Sequence, residues 1–163
     1  MIFKNADLKD LPAIVNIYNS TIASRKVTAD THPVSVDSKL VWFNTHNPTT
    51  RPLWLVQHIG GSTIGWVSFT SFYGRPAYQG TAEVSIYLAE NFRGMGYGKK
   101  ILQHCIAQAP SLKIHTLLGY IFAHNIPSIQ LFLQSGFAEY AHLKDIAIMD
   151  NKFYSLKIFG KKV

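Results

Sequence analysis

Arg93-Gly94-Met95-Gly96-Tyr97-Gly98-Lys99-Lys100 is the stretch on which the reading of this chain turns. It follows Ala82-Glu83-Val84-Ser85-Ile86-Tyr87-Leu88, a segment of strand character. It precedes Ile101, Leu102, Cys105 and Ile106, which recur at helical spacing. A glycine-rich turn between strand and helix leaves the first N–H groups of the helix unpaired, with the helix dipole behind them. Glycines accept positive φ and let a ligand come close to the backbone. Such a turn suits phosphate. The two common phosphate loops do not fit. A P-loop would need Gly at Arg93 and Ser or Thr at Lys100. A Gly-x-Gly-x-x-Gly turn would end on Lys99 when counted from Gly94, or on Ile101 when counted from Gly96. On the turn alone, a glycine turn without a ligand is the competing interpretation.

Toward the N-terminus, Ile2 to Ala6 reads as a short first strand. Asp7, with Asp10 three residues on, resembles a capping box. Leu8, Leu11, Val15 and Tyr18, with Ile14 and Ile17 beside them, predict a helix that carries Pro12 in its first turn. A loop from about Ala23 to Pro33 leads to a shorter helix marked by Leu40, Val41, Trp42 and Phe43. Leu53 to Val56 starts a strand, Gly60-Gly61 signals a hairpin, and Thr63 to Phe69 returns. An aromatic loop, Phe72 to Gly80, precedes the strand that feeds the glycine turn.

Toward the C-terminus, Ile114 to Phe122 reads as a strand. Asn125 is a natural N-cap and Pro127 suits a first helical turn. The helix that follows carries Ile129, Leu131, Phe132 and Leu133 and stops at Gly136. Closing strands fall near Phe137 to Leu143 and Tyr154 to Phe159. Strands and helices in this order predict one α/β or α+β domain, residues 1–163, around a single mixed sheet.

The glycine turn resembles motif A of the GNAT acetyltransferases, Arg/Gln-x-x-Gly-x-Gly/Ala, with Arg93, Gly96 and Gly98 at its fixed positions. Downstream, His124-Asn125-Ile126-Pro127-Ser128-Ile129-Gln130-Leu131-Phe132 through Gly136-Phe137 resembles motif B of the same family. The resemblance implies a mostly antiparallel central sheet, flanked by helices and splayed at the acetyl-CoA strand by a bulge. It implies acetyl-CoA as co-substrate, its pyrophosphate held by the turn Arg93, Gly94, Met95, Gly96, Tyr97, Gly98 and Lys99. The backbone of Val84, Ser85, Ile86, Tyr87 and Leu88 would receive the pantetheine arm, with Asn125 and Ser128 beside it. Many relatives have Tyr, a proton donor for the leaving thiolate, where Phe132 stands. Phe has no proton to give, so either water acts or the thiolate leaves unprotonated, at modest cost for a thiol of pKa near ~8.5.

Nearly the whole chain is similar to the phosphinothricin and methionine sulfoximine N-acetyltransferase branch. Ile17-Tyr18-Asn19, Thr28-Ala29-Asp30, Trp42-Phe43 and the loop Phe72-Tyr73-Gly74-Arg75-Pro76-Ala77-Tyr78 carry that similarity. The Lys/Trp/Asp pattern of the branch near its C-terminus is poorly matched by Met149 to Ser155. The resemblance implies Glu83 as the base that takes a proton from the acceptor ammonium, which is not itself a nucleophile. It implies Arg75 as a fork for an acceptor anion, with Phe72, Tyr73, Tyr78 and Glu83 around the acceptor. The aromatic loop suits a homodimer interface equally well. Other acceptors of this fold, a protein N-terminus, lysine or polyamine, stay in competition, as does acyl-CoA binding without catalysis.

Composition narrows the classes. At 47% hydrophobic and 15% charged residues the chain can build a core and is not a disordered one. Without an apolar run of about 18 residues or a leader-like N-terminus, a cytoplasmic protein away from membranes is expected. The net charge of +7 fits a basic surface or a polyphosphate ligand, and no nucleic-acid module is recognisable. The seven histidines show no spacing suited to zinc, so no metal is expected. Cys105 lies on an apolar helical face and reads as core, which predicts direct transfer; His124 reads as structural.

Overall fold

Asp7 and Asp10 open the first helix as their spacing predicts. In the computed structural model, which describes residues 1–163, the Asp10 carboxylate accepts the Asp7 N–H at 2.9 Å. The opening turn, Leu8–Asp10, is a 3₁₀ turn, and α1 follows over Leu11–Ile22. A second 3₁₀ turn, Asp37–Lys39, leads into the short α2, Leu40–Asn44. α3 spans Tyr97–Gln108 and α4 spans Ile126–Gln134. No helix is long and apolar enough to cross a membrane.

Seven strands form one sheet: β1 Ile2–Asn5, β2 Leu53–Gln57, β3 Thr63–Ser71, β4 Thr81–Leu88, β5 Thr116–Phe122, β6 Ala138–Met149 and β7 Lys152–Lys162. Their spatial order is β1-β2-β3-β4-β5-β7-β6, antiparallel throughout except for the β4–β5 pair. Period-2 alternation sends the two faces of the sheet to two cores. On one face Val67, Phe69, Val84 and Leu117 cluster with Ile101, Leu102 and Cys105 of α3 and with Ile129 and Phe132 of α4. On the other, Leu53, Leu55 and Trp66 cluster with Leu11, Ile14 and Val15 of α1. Phe69 is fully buried, and truncating such a ring costs about 3–5 kcal/mol. That is a large share of the roughly 5–15 kcal/mol that holds a domain together.

Three expectations are revised. β5 begins at Thr116 rather than Ile114, because Lys113 takes a left-handed conformation (φ 59°) and the Ile114 N–H turns back to the Ala109 carbonyl at 2.9 Å. The closing strands are far longer than Phe137–Leu143 and Tyr154–Phe159. They meet in a two-residue turn at Asp150-Asn151, both at positive φ (49° and 61°), a hairpin turn made without glycine. Finally, β4 has no bulge: its pairing with β3 runs in unbroken register from Gly65↔Leu88 to Ser71↔Ala82. The splay lies on its other edge. β4 and β5 pair only at Thr81↔Thr116, Ala82↔Leu117 and Glu83↔Leu118.

Candidate active site

Three cross-strand pairs build one wall. Trp66↔Tyr87, Ser68↔Ser85 and Thr70↔Glu83 are partners in the β3–β4 ladder, and the alternation of the strands puts all six side chains on the same face. α1 supplies Ile14, Val15 and Tyr18, and Lys39 and Trp42 complete a cavity of about 260 Å³. The aromatic rings lock one another: Trp66 stacks on Tyr87 at 4.3 Å between centroids, Tyr18 lies 5.2 Å from Tyr87, and Trp42 meets Trp66 edge-on at 5.6 Å. The Trp66 indole N–H donates to the Ile14 carbonyl at 3.1 Å, fixing α1 over this wall.

Glu83 is half-buried in this cavity and accepts the Ser85 hydroxyl at 3.0 Å. Burial raises its pKa above the usual carboxylate value, and the Ser85 bond opposes part of that rise. Its carboxylate is a stronger base than an exposed one. Tyr18 donates to Asp30 at 2.5 Å and is paired with Thr28; burial pushes its pKa up to about 12. Tyr87 is raised further, also by burial first. Both phenols therefore stay neutral near neutral pH.

A second cavity, about 200 Å³, fills the splay between β4 and β5. Val84 to Leu88 form one side, with Tyr120 and Ile121 of β5 and with Ser128, Leu131 and Phe132 of α4 opposite; Val27 and Lys26 come from the loop after α1. Ser85 and Tyr87 line both cavities, so the two meet on β4. Beyond the pair Glu83↔Leu118, the residues Ser85–Leu88 have no partner residue on β5. Arg93 and Gly98 close one end, at the N-terminus of α3. Gly94 (φ 73°) and Gly96 (φ 78°) are left-handed, and a Cβ on either would meet nothing within 4 Å. A ligand can thus approach both. Gly98 acts differently. A Cβ there would stand 3.3 Å from Leu131 Cδ2, so its absence lets α3 approach α4. This slot, lined by both apolar and polar side chains, with an edge of β4 unpaired beyond Glu83 on one side and a helix N-terminus at its end, has the form to take an acyl chain that ends in phosphate.

Several side chains named from the sequence are otherwise engaged. Arg93 donates to the Leu88 carbonyl (3.0 Å) and to the Ser20 hydroxyl (2.6 Å), tying the turn to β4 and α1. Asn125 caps α4 by accepting the Ser128 N–H at 3.3 Å and donates to the Lys26 carbonyl at 3.0 Å. His124 bonds the Arg25 carbonyl at 2.8 Å. Asn125 and His124 together strap the loop after α1 beside the slot. Tyr97 turns its hydroxyl to His58 at 2.7 Å, and Met95 and Lys99 are exposed. Phe132 lies against β5, where a Cβ on Gly119 would collide with its ring. Cys105 is wholly buried, and burial drives its thiol pKa far up. It stands in no position to act as a nucleophile.

The largest departure concerns the aromatic loop. Phe72, Arg75 and Tyr78 line a separate polar cavity of about 760 Å³ with Arg51, Lys113 and His115. Tyr73 packs beside Phe72 and Tyr78 and is 74% exposed. Within one protomer the structure does not bring Arg75 together with Glu83. The cation that does share the Glu83 cavity is Lys39, which sequence reasoning missed along with Tyr18, Trp42 and Trp66 as site residues. The Trp66↔Tyr87 and Thr70↔Glu83 pairing was the available signal, once the hairpin and the next strand are set in antiparallel register.

Comparison with known proteins follows the same lines. Residues 14–137 match the sequence profile of the Acetyltransferase (GNAT) family. A Bacillus subtilis (strain 168) protein named "Putative phosphinothricin acetyltransferase YwnH" is 49% identical over 163 residues, covering 100% of this chain and 99% of that one. The L-methionine sulfoximine/L-methionine sulfone acetyltransferase of Pseudomonas aeruginosa is 28% identical over 134 residues, 82% of this chain and 78% of that one. A crystal structure described as that of a putative phosphinothricin N-acetyltransferase superposes with a TM-score of 0.95 at 49% identity, covering 99% of this chain and 97% of that one.

Proposed function

This chain belongs to the GNAT acetyltransferase family, and from that premise we propose that it carries the acetyl group of acetyl-CoA to the α-amine of a small amino acid of the methionine sulfone, methionine sulfoximine or phosphinothricin kind. The observation that carries the proposal is the meeting of two cavities on β4, one a slot for the acyl arm and the other holding the Glu83 carboxylate. Neither cavity alone would favour transfer to an amine. Together they bring an acyl donor and a base to one strand.

In this scheme Glu83, directly or through a water, takes one proton from the acceptor ammonium. The freed nitrogen lone pair attacks the thioester carbonyl, the C–N bond forms, and the C–S bond breaks. A backbone N–H on the β5 side of β4 beyond Glu83↔Leu118, where the strands no longer pair, faces the developing oxyanion. The thiolate leaves without help from Phe132, and the second nitrogen proton passes to solvent. The turn at Gly94–Lys99 holds the pyrophosphate through its N–H groups, while the Arg93 side chain shapes the turn rather than gripping the ligand. Asn125 and Ser128 flank the arm, Asn125 chiefly by holding the loop at Lys26.

The cluster of the exposed Tyr73 and Tyr78 with the half-buried Phe72 supports a homodimer contact through this loop. Arg75 then serves the acceptor site only as a residue supplied by the second copy. A single thiol, wholly buried, agrees with a reducing cytoplasm.

A thiol-release assay tests this reading, with acetyl-CoA and a panel of phosphinothricin, L-methionine sulfoximine, L-methionine sulfone, glutamate, spermidine and a lysine peptide. Saturable turnover on the first three is expected. Turnover confined to spermidine or the peptide would overturn the acceptor class while leaving the family intact.

A further inference from the structure

One charged group in the acceptor cavity plays no part in the transfer scheme. Lys39 ends the 3₁₀ turn before α2, and its side chain is only 25% exposed. Its Nζ sits 4.5 Å from the centroid of the Tyr18 ring and 6.0 Å from that of Trp42. Asp30 Oδ2 forms an ion pair with it at 3.6 Å, just beyond hydrogen-bond distance, and already accepts the Tyr18 hydroxyl. The ring and the carboxylate hold the ammonium in place without using up its donors. Lys39 and Glu83 are the two charged side chains in the wall of this cavity, one of each sign.

An amino acid carries its own pair of charges on one carbon, an amine and a carboxylate. We propose that Lys39 is the carboxylate anchor of the acceptor: its ammonium binds the α-carboxylate of an amino acid whose α-amine faces Glu83. The inference rests on the N-acetyltransferase reading and adds the group that selects α-amino acids. The named acceptors of the relatives differ in their side chains and share the α-carboxylate, so an anchor for that group serves all of them. A cavity of about 260 Å³ falls just below the roughly 300–1,000 Å³ of drug-sized sites, which suits a molecule of amino-acid size. In a partly desolvated site an ion pair is worth more than it is in water. A polyamine would meet a like charge at Lys39.

The decisive experiment compares the full-length protein with Lys39→Met and Lys39→Arg in the thiol-release assay, with L-methionine sulfone and its methyl ester as acceptors. Lys39→Met is expected to raise KM for the free acid roughly ten- to a hundredfold, the worth of a charged hydrogen bond. It should change kcat and the KM for acetyl-CoA by less than about threefold, the pattern of a lost binding contact rather than a lost catalytic group. Lys39→Arg should restore most of the affinity. With the methyl ester, Lys39→Met and wild type should have the same kcat/KM. Equal KM for the free acid in wild type and Lys39→Met would overturn the anchor, as would an equal loss on acid and ester. Those results leave amino-acid acetylation standing. If wild type acetylates no amino acid and works on spermidine or peptide, the underlying reading falls and the anchor with it.

Discussion

The Glu83 cavity and the Arg75 cavity differ in a way that size does not convey. The second is about 760 Å³ and the first about 260 Å³. Yet the most buried cation of the larger cavity, Arg51, uses all three guanidinium nitrogens in hydrogen bonds. Its guanidinium donates to the Ser71 hydroxyl at 2.9 Å, to the Thr50 carbonyl at 2.7 Å and to the Gln79 carbonyl. It locks the aromatic loop to the turn before β2. In the smaller cavity Lys39 is ion-paired to Asp30 at 3.6 Å and lies over the Tyr18 ring with no hydrogen bond to either, and Glu83 has one hydroxyl partner. The smaller cavity also shares Ser85 and Tyr87 with the acyl slot, whereas no residue of the larger one lines that slot. The proposed acceptor site rests on that shared wall, not on volume or net positive charge.

The sharpest way to break this contrast is Glu83→Gln. With a general base removed, kcat on an amino-acid acceptor should fall roughly 10²- to 10⁴-fold. The melting temperature should not fall, because the raised pKa of Glu83 shows that its charged form is disfavoured by burial. Calorimetry of acetyl-CoA binding checks that the slot survives. Next in size is Gly96→Val. The position has open space but a left-handed φ of 78°, so the expected harm is conformational, about 1–2 kcal/mol for a residue with a Cβ, and roughly tenfold weaker acetyl-CoA binding. An unchanged affinity in calorimetry would remove the turn from the site.

A smaller effect is expected of Ser85→Ala. The Ser85 bond lowers the Glu83 pKa, so its loss should move the acid limb of kcat/KM to higher pH. A limb that stays put would detach Ser85 from the base. The smallest effect expected is that of Arg75→Ala, whose rise in acceptor KM should be less than that of Lys39→Met. The reverse order would mean that a second copy brings Arg75 into the acceptor site, and the contrast between the cavities would hold only within one protomer.

Much of this was legible in the sequence because it depends on local chemistry. The glycine turn, the Asn125 cap and the Asp7–Asp10 pair each act within a few residues, and each is where the spacing places it. Glu83 and its neighbours alternate along one strand, so their shared face could be read as well. What escaped depends on distance through the chain. Lys39 and Glu83 are brought together by the packing of α1 and α2 on β3 and β4, through Trp42, Trp66 and Tyr87. Nothing local at Lys39 announces it. Arg75 shows the converse: a residue similar to one in relatives, yet its loop turns it away from Glu83 within its own protomer. The Asp150-Asn151 turn was missed because the common hairpin signal contains glycine, and two non-glycine residues adopt positive φ here instead.

The most direct measurement is kcat/KM for L-methionine sulfone as a function of pH, in wild type and in Glu83→Gln. For wild type, the expected result is an acid limb whose inflection lies above the usual carboxylate value of 4.5, with activity rising as Glu83 deprotonates. In Glu83→Gln that limb should vanish, leaving a rate lower by roughly 10²- to 10⁴-fold that rises only with deprotonation of the acceptor amine itself. Two profiles of the same shape and height would contradict the assignment of Glu83 as the base on which this site is built.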